Sequence, residues 1–152
     1  MLITGGAGYI GSCVANIFLK KKYNVYIVDD LSTGNILNLN KKVKFYNINI
    51  SNYKKIREVI INNNIKTIIH LAGKLDAAES EVNKKKYFLN NCLYTKNILK
   101  SLQTTSIKKF IFASSAAIYK DSNKPSHETS DKKPINYYGL TKLHNEQLIE
   151  SY

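Results

Sequence analysis

Residues 4–11 read Thr4-Gly5-Gly6-Ala7-Gly8-Tyr9-Ile10-Gly11, and this stretch decides the fold. Two glycine spacings are satisfied at once. Gly5, Gly8 and Gly11 give one; Gly6, Gly8 and Gly11 give G-x-G-x-x-G. Upstream, residues 1–4 form a short apolar strand. Downstream, Val14, Ile17 and Phe18 recur on one face, which predicts a helix over residues 11–22. Between a strand and a helix, the first glycines allow a tight turn and Gly8 a close approach of backbone to ligand. Gly11 allows the helix to pack near the strand. The helix start presents N–H groups and a positive dipole end to phosphate. Such a strand–turn–helix is built to hold a dinucleotide pyrophosphate.

A second strand, residues 25–29, is apolar until it stops at Asp29 and Asp30. An acid at that distance from the glycines accepts both hydroxyls of the adenosine ribose. The same charge repels a 2′-phosphate, so NAD is expected rather than NADP.

The remaining pattern alternates. Strands are predicted at residues 43–48, 67–71 and 110–113, and helices at 53–63, 83–102 and from 136 to the end. Alternating strands and helices imply a parallel sheet covered on both faces. Right-handed crossovers then favour an α/β, Rossmann-type doubly wound sheet of order 3-2-1-4-5. The Pro-marked loop over residues 120–134 separates the fifth strand from the last helix.

With 152 residues, the chain has room for one domain with a substantial core. No apolar run reaches bilayer length, so no membrane partner is expected, and the N-terminus lacks the basic opening of a secretion signal. Cys13 and Cys92 have no metal-ligand spacing; both read as reduced core residues of a cytoplasmic protein, with no metal site. The net charge of +12 comes almost entirely from lysine, and Arg57 is the sole arginine. Nucleic-acid sites favour arginine in a concentrated stripe. Here the lysines sit in short clusters near element ends, so no nucleic-acid partner is expected.

Tyr138 and Lys142 are spaced to share one face of the last helix. A cation beside a phenol favours the phenolate, which makes Tyr138 a candidate general base. Ser115 follows the fifth strand, and its hydroxyl can reach the same substrate oxygen. Alone, each of these residues has an ordinary reading as a solvated helix face or a strand-end cap. In chain order behind the glycine turn and Asp29, at the carboxyl ends of strands, they read as one site.

These segments resemble the extended short-chain dehydrogenase/reductases, and among them the NAD-dependent epimerase/dehydratases that act at C4 of UDP-glucose. The likeness is carried by residues 4–12 (TGGAGYIGS), 28–34 (VDDLSTG), 70–73 (HLAG), 110–119 (FIFASSAAIY), 138–142 (YGLTK) and 143–148 (LHNEQL). The resemblance implies that Gly5, Gly8, Tyr9, Ile10 and Gly11 meet the pyrophosphate, and Asp29 and Asp30 the adenosine ribose. Asn49 and Ile50 would lie near the adenine, Leu71, Ala72 and Gly73 would line the cofactor cleft, and Asn90 would touch the cofactor. Ser115, Tyr138 and Lys142 match the catalytic three, with a UDP-sugar as substrate. Tyr138 would take the proton of the sugar 4-hydroxyl while hydride leaves C4 for NAD, and the keto sugar would turn over before hydride returns. Ala116 and Ala117 stand where nucleotide-sugar 4,6-dehydratases carry an Asp-Glu pair, which favours the epimerases over that alternative.

The sequence also departs from the pattern. Asn49 stands where many relatives have an aspartate facing adenine, Lys74 precedes Leu75, and Lys120 replaces a glycine. Relatives continue well past the tyrosine–lysine helix, into further strands and a domain that grips the sugar. The expectation is therefore a single, incomplete NAD-binding domain over residues 1–152, with a non-catalytic NAD-binding remnant as the alternative. Relatives pair through the helices that correspond to residues 83–102 and 136–152, which implies a homodimer.

Overall fold

The computed structural model describes residues Met1–Tyr152. The chain divides into two compact units: Met1–Ala72 with Lys100–Ala113, and Gly73–Leu99 with Ser114–Tyr152.

The first unit holds a five-stranded sheet of β1 (Leu2–Thr4), β2 (Tyr26–Asp29), β3 (Lys44–Asn47), β4 (Thr67–His70) and β5 (Lys109–Phe112). Its order is β3-β2-β1-β4-β5 and all four pairings are parallel, as the alternation predicts. The central strands are buried on both faces, which is why they read as unbroken apolar runs. On one face Ile3, Ile27 and Ile69 pack with Ala15, Phe18 and Leu19 of α1 (Tyr9–Lys20). Burying such an isoleucine side chain contributes roughly 1.5–3 kcal/mol. On the other face the register aligns Thr4, Val28, Tyr46 and His70. There Asn63, at the end of α2 (Tyr53–Asn62), donates from Nδ2 to the Tyr46 hydroxyl at 3.2 Å. Helices thus cover both faces, as right-handed crossovers require.

Buried His70 is a sheet residue. Its Nδ1 pairs with Thr4 Oγ1 at 2.6 Å, and its ring centroid lies 5.7 Å from that of Phe110 and 6.1 Å from that of Phe112. The sole arginine also has a structural task. Arg57 Nη1 donates to the carbonyls of Ser101 and Gln103, and Nη2 to Thr104 Oγ1 at 3.0 Å. These carbonyls lie where a helix leaves its last acceptors unpaired, and a planar guanidinium reaches several of them at once.

The second unit is helical. It contains α3 (Ala77–Val82), α4 (Lys84–Tyr87), a π-helical turn (Phe88–Leu93), most of α5 (Tyr94–Leu102) and α6 (Tyr137–Glu150). The single helix expected over residues 83–102 is therefore continuous but widened in its middle. The carbonyl of Asn91 there accepts from Thr95 Oγ1 at 2.6 Å and from Asn145 Nδ2 at 2.8 Å. Side-chain donors of this kind hold a wide turn open. Helix α3 was not anticipated. Its signal is local: Asp76 caps it by accepting from Glu79 N at 2.8 Å. No helix of the chain is long and apolar enough to cross a membrane.

Candidate active site

In the first unit the glycine turn is enclosed by backbone. Gly5 has φ +70°, and a Cβ there would stand 2.7 Å from Ala72 N and 2.9 Å from the Leu71 carbonyl carbon. Gly11 lies closer still: its Cβ would fall 2.3 Å from Gly5 O and 2.6 Å from Gly6 Cα. Gly8 is different. A Cβ there would meet only Gly5 O, at 3.4 Å. The wall of the turn at Gly8 therefore faces open space, where a ligand can approach the backbone. Helix α1 starts at Tyr9, two residues earlier than expected, so Tyr9 and Ile10 stand in its first turn, both exposed. That turn has no side-chain cap and no acidic residue. Its unpaired N–H groups and positive dipole end suit a phosphate.

Asp29 ends β2 and is buried. Its Oδ2 accepts from Ala7 N at 3.0 Å and its Oδ1 from Leu31 N at 2.8 Å. The carboxylate thus locks the glycine turn to β2, and each oxygen keeps a lone pair for a hydroxyl donor. Asp30 accepts from Ser32 N at 2.9 Å and from Asn49 Nδ2. Asn49 Oδ1 accepts from Ser51 N at 2.9 Å, which leaves one acceptor position for an adenine amino group. Ile50 beside it is buried. Leu71 and Ala72 back the turn at Gly5.

In the second unit Gly73 faces Asn91, whose Oδ1 would stand 3.2 Å from a Cβ at that glycine. Asn91 rather than Asn90 ties this loop to α6. Asn91 Oδ1 accepts from Lys74 N at 2.8 Å, and its Nδ2 donates to Lys74 O at 3.0 Å and Thr141 Oγ1 at 3.1 Å. Asn90 instead lines a shallow depression with Lys84–Lys86 and Tyr94. A sequence signal for Asn91 exists: Tyr87, Asn91, Thr95 and Ile98 recur at helical spacing, and all are buried.

Ser115 caps a short turn at Ala116–Ile118, its Oγ accepting from Ala117 N at 3.1 Å. Gly139, next to Tyr138, abuts the same turn: a Cβ there would fall 2.2 Å from Ala117 O. The glycine thereby lets the start of α6 sit against the serine turn. The Lys142 ammonium lies 5.8 Å from the Tyr138 ring centroid. Lys142 is buried, and desolvation pushes its pKa down from 10.5 to about 8. Burial pushes the Cys92 thiol up to about 11, so it is neutral near pH 8. Its Sγ donates to Thr141 O at 3.8 Å. Cys92 is thus a core residue, as expected of both cysteines, whereas Cys13 is exposed: it shares with Ile17, four residues on, the outward face of α1.

A pH dependence follows for Lys142. Between pH 8 and 10.5 the unfolded chain holds a proton that the folded chain has released. Stability therefore rises with pH across that window, by up to about 1.4 kcal/mol per unit. Denaturant unfolding of wild type and Lys142→Met is expected to give curves that converge or cross in wild type's favour as pH rises. Parallel curves would contradict a depressed lysine.

The sequence profile of the NAD dependent epimerase/dehydratase family matches residues 1–152. A UDP-glucose 4-epimerase of Schizosaccharomyces pombe is 33% identical over 99% of this chain and 46% of its own length. A putative UDP-glucose 4-epimerase of Methanocaldococcus jannaschii is 36% identical over 100% of this chain and 50% of its own. The crystal structure of UDP-glucose 4-epimerase from Brucella ovis in complex with NAD superposes with TM-score 0.95. Its identity is 32%, covering 99% of this chain and 46% of that one. The chain spans about half the length of the relatives it matches. With the whole chain inside one profile, and the glycine turn, Asp29, Ser115, Tyr138 and Lys142 all present, the chain belongs to the NAD dependent epimerase/dehydratase family.

Proposed function

We propose that this chain is the NAD-holding and proton-transferring part of a nucleotide-sugar 4-epimerase that interconverts UDP-glucose and UDP-galactose. The observation that carries it is Lys142, buried one helical turn from Tyr138. Burying an ammonium is costly, and a shifted lysine beside a proton-transfer candidate is what an active site maintains.

The first unit suits NAD. The uncapped start of α1 and the open side of Gly8 would take the pyrophosphate, and Asp29 the adenosine ribose. Bound NAD supplies the acceptor, and later the donor, of the hydride at C4 of the sugar. The chain's own residues handle the proton. The Tyr138 phenolic oxygen takes it from the sugar 4-hydroxyl and returns it in the second half of the cycle. Lys142 favours the phenolate by its charge. Ser115 Oγ already accepts from Ala117 N, so its own proton can be donated to the reacting sugar oxygen. Ala116 and Ala117 bring no acid or base, which favours 4-epimerisation over 4,6-dehydration. We read both units as one NAD-binding domain, and the homodimer as a pairing through the helical residues 83–102 and 136–152.

The test is incubation of the purified chain with NAD and UDP-galactose, following bound NAD and UDP-glucose formed. Conversion supports the epimerase. The half-length match to relatives favours a second reading, an NAD-binding piece without turnover. Tight NAD binding with no product would select that reading. Absence of NAD binding would sink both.

A further inference from the structure

The start of α6 is closed in a way that the start of α1 is not. A helix leaves its first amides without intrahelical acceptors. In α6, the amides of Tyr137, Tyr138 and Gly139 all donate to side chains. Gly139 N reaches Asn136 Oδ1 at 2.8 Å, the ordinary local cap. The other two acceptors come from a different helix, α3. Tyr138 N donates to Ser80 Oγ at 2.9 Å, and Tyr137 N to Glu81 Oε1 at 2.5 Å.

Ser80 is completely buried, and its hydroxyl donates to Ala77 O at 2.5 Å. That donation fixes the rotor, so an oxygen lone pair stays aimed at the Tyr138 amide. Glu81 is exposed and places its charge at the positive end of α6. It also lies 3.6 Å from Lys84, whose ammonium stands 5.7 Å from the Tyr137 ring centroid.

The next turn of α6 has anchors of its own, and Thr141 Oγ1 also donates back to the Tyr138 carbonyl at 2.7 Å. Thr141 accepts from Asn91 Nδ2, the Thr141 carbonyl accepts from Cys92 Sγ, and Asn145 donates to Asn91 O. These contacts bracket Lys142. Ser80 thus holds the amide side of Tyr138 directly and touches the turn that carries Lys142 only through Tyr138.

We propose that Ser80, assisted by Glu81, is a positioning residue for Tyr138, holding that residue's backbone so that its phenol is aimed correctly relative to Lys142. The proposal rests on the reading of Tyr138 as the proton-transferring group.

The test compares Ser80→Ala and Ser80→Thr in the intact chain. Amide exchange is followed by NMR, and the Tyr138 phenol carbon is assigned by its loss in Tyr138→Phe. Ser80→Ala is expected to speed exchange of the Tyr138 amide about tenfold and to shift its phenol-carbon resonance, while amides of residues 142–148 stay within about twofold. Ser80→Thr, which keeps the hydroxyl, is expected to restore both. In turnover of UDP-galactose, kcat should fall about tenfold in the alanine variant with KM nearly unchanged. Uniform acceleration of all α6 amides, or an unmoved Tyr138 resonance, would overturn the proposal. If Ser80→Ala does not fold, Glu81→Ala at an exposed position is expected to give the same asymmetry at Tyr137, and symmetric loss there would overturn it. A wild-type chain that binds no NAD would remove the functional reading. A wild type that turns over, with kcat intact in folded Ser80→Ala, would remove the positioning role alone.

Discussion

Gly11→Ala is expected to destabilise the chain by about 3 kcal/mol or more and to abolish measurable NAD binding. The added Cβ would fall 2.3 Å from Gly5 O and 2.6 Å from Gly6 Cα. Those are backbone atoms, so no rotamer change relieves the clash. Nor can the turn retreat. Gly5 N is held by Val28 O at 2.9 Å, Ala7 N by Asp29, and a Cβ at Gly5 would already crowd Ala72. Gly6 is pressed against the side chain of Ile27. Gly8→Ala is the matched control. Its Cβ meets only Gly5 O, at ordinary contact distance. It should therefore leave unfolding within about 1 kcal/mol of wild type while weakening NAD binding at least tenfold, because the methyl occupies the side where the pyrophosphate approaches. Urea unfolding and calorimetric titration with NAD measure the two quantities. Equal stability losses at Gly8 and Gly11 would refute this account of the turn.

Tyr138→Phe should lower epimerisation of UDP-galactose by about 10²–10⁴-fold and leave NAD affinity within about threefold. Phenylalanine keeps the ring beside Lys142 and removes only the oxygen that carries the proton. The backbone amide of residue 138 still donates to Ser80, so α6 should start in the same place. Steady-state kinetics beside NAD titration of the same preparation separates chemistry from binding. Retained turnover in the variant would show that another group moves the proton.

The parts of the site that depend on short spacing were legible in the sequence. Strand, glycine turn, helix and terminal acid lie within residues 1–29, and their placement follows from local backbone geometry. Strand order followed from alternation and crossover handedness, since a right-handed path leaves few arrangements. The structural task of Asn91, beside the expected cofactor contact Asn90, was less legible. The widened π turn that sets their phase is held open by Asn145, well downstream in the chain.

By itself, then, the sequence determined a parallel doubly wound sheet with a dinucleotide turn at its first crossover. It also determined a tyrosine and a lysine on one helix face. These are properties of period, spacing and residue type, which the chain carries locally. Tertiary structure decided how the helical site is assembled. It put Ser80 on the Tyr138 amide across 58 residues and Asn91 on Thr141 across 50. It set Gly139 against Ala117 and buried Lys142 beside Cys92 and Tyr138. Such pairings are hydrogen bonds and close packing between segments that meet only when the chain folds, so no local pattern records them.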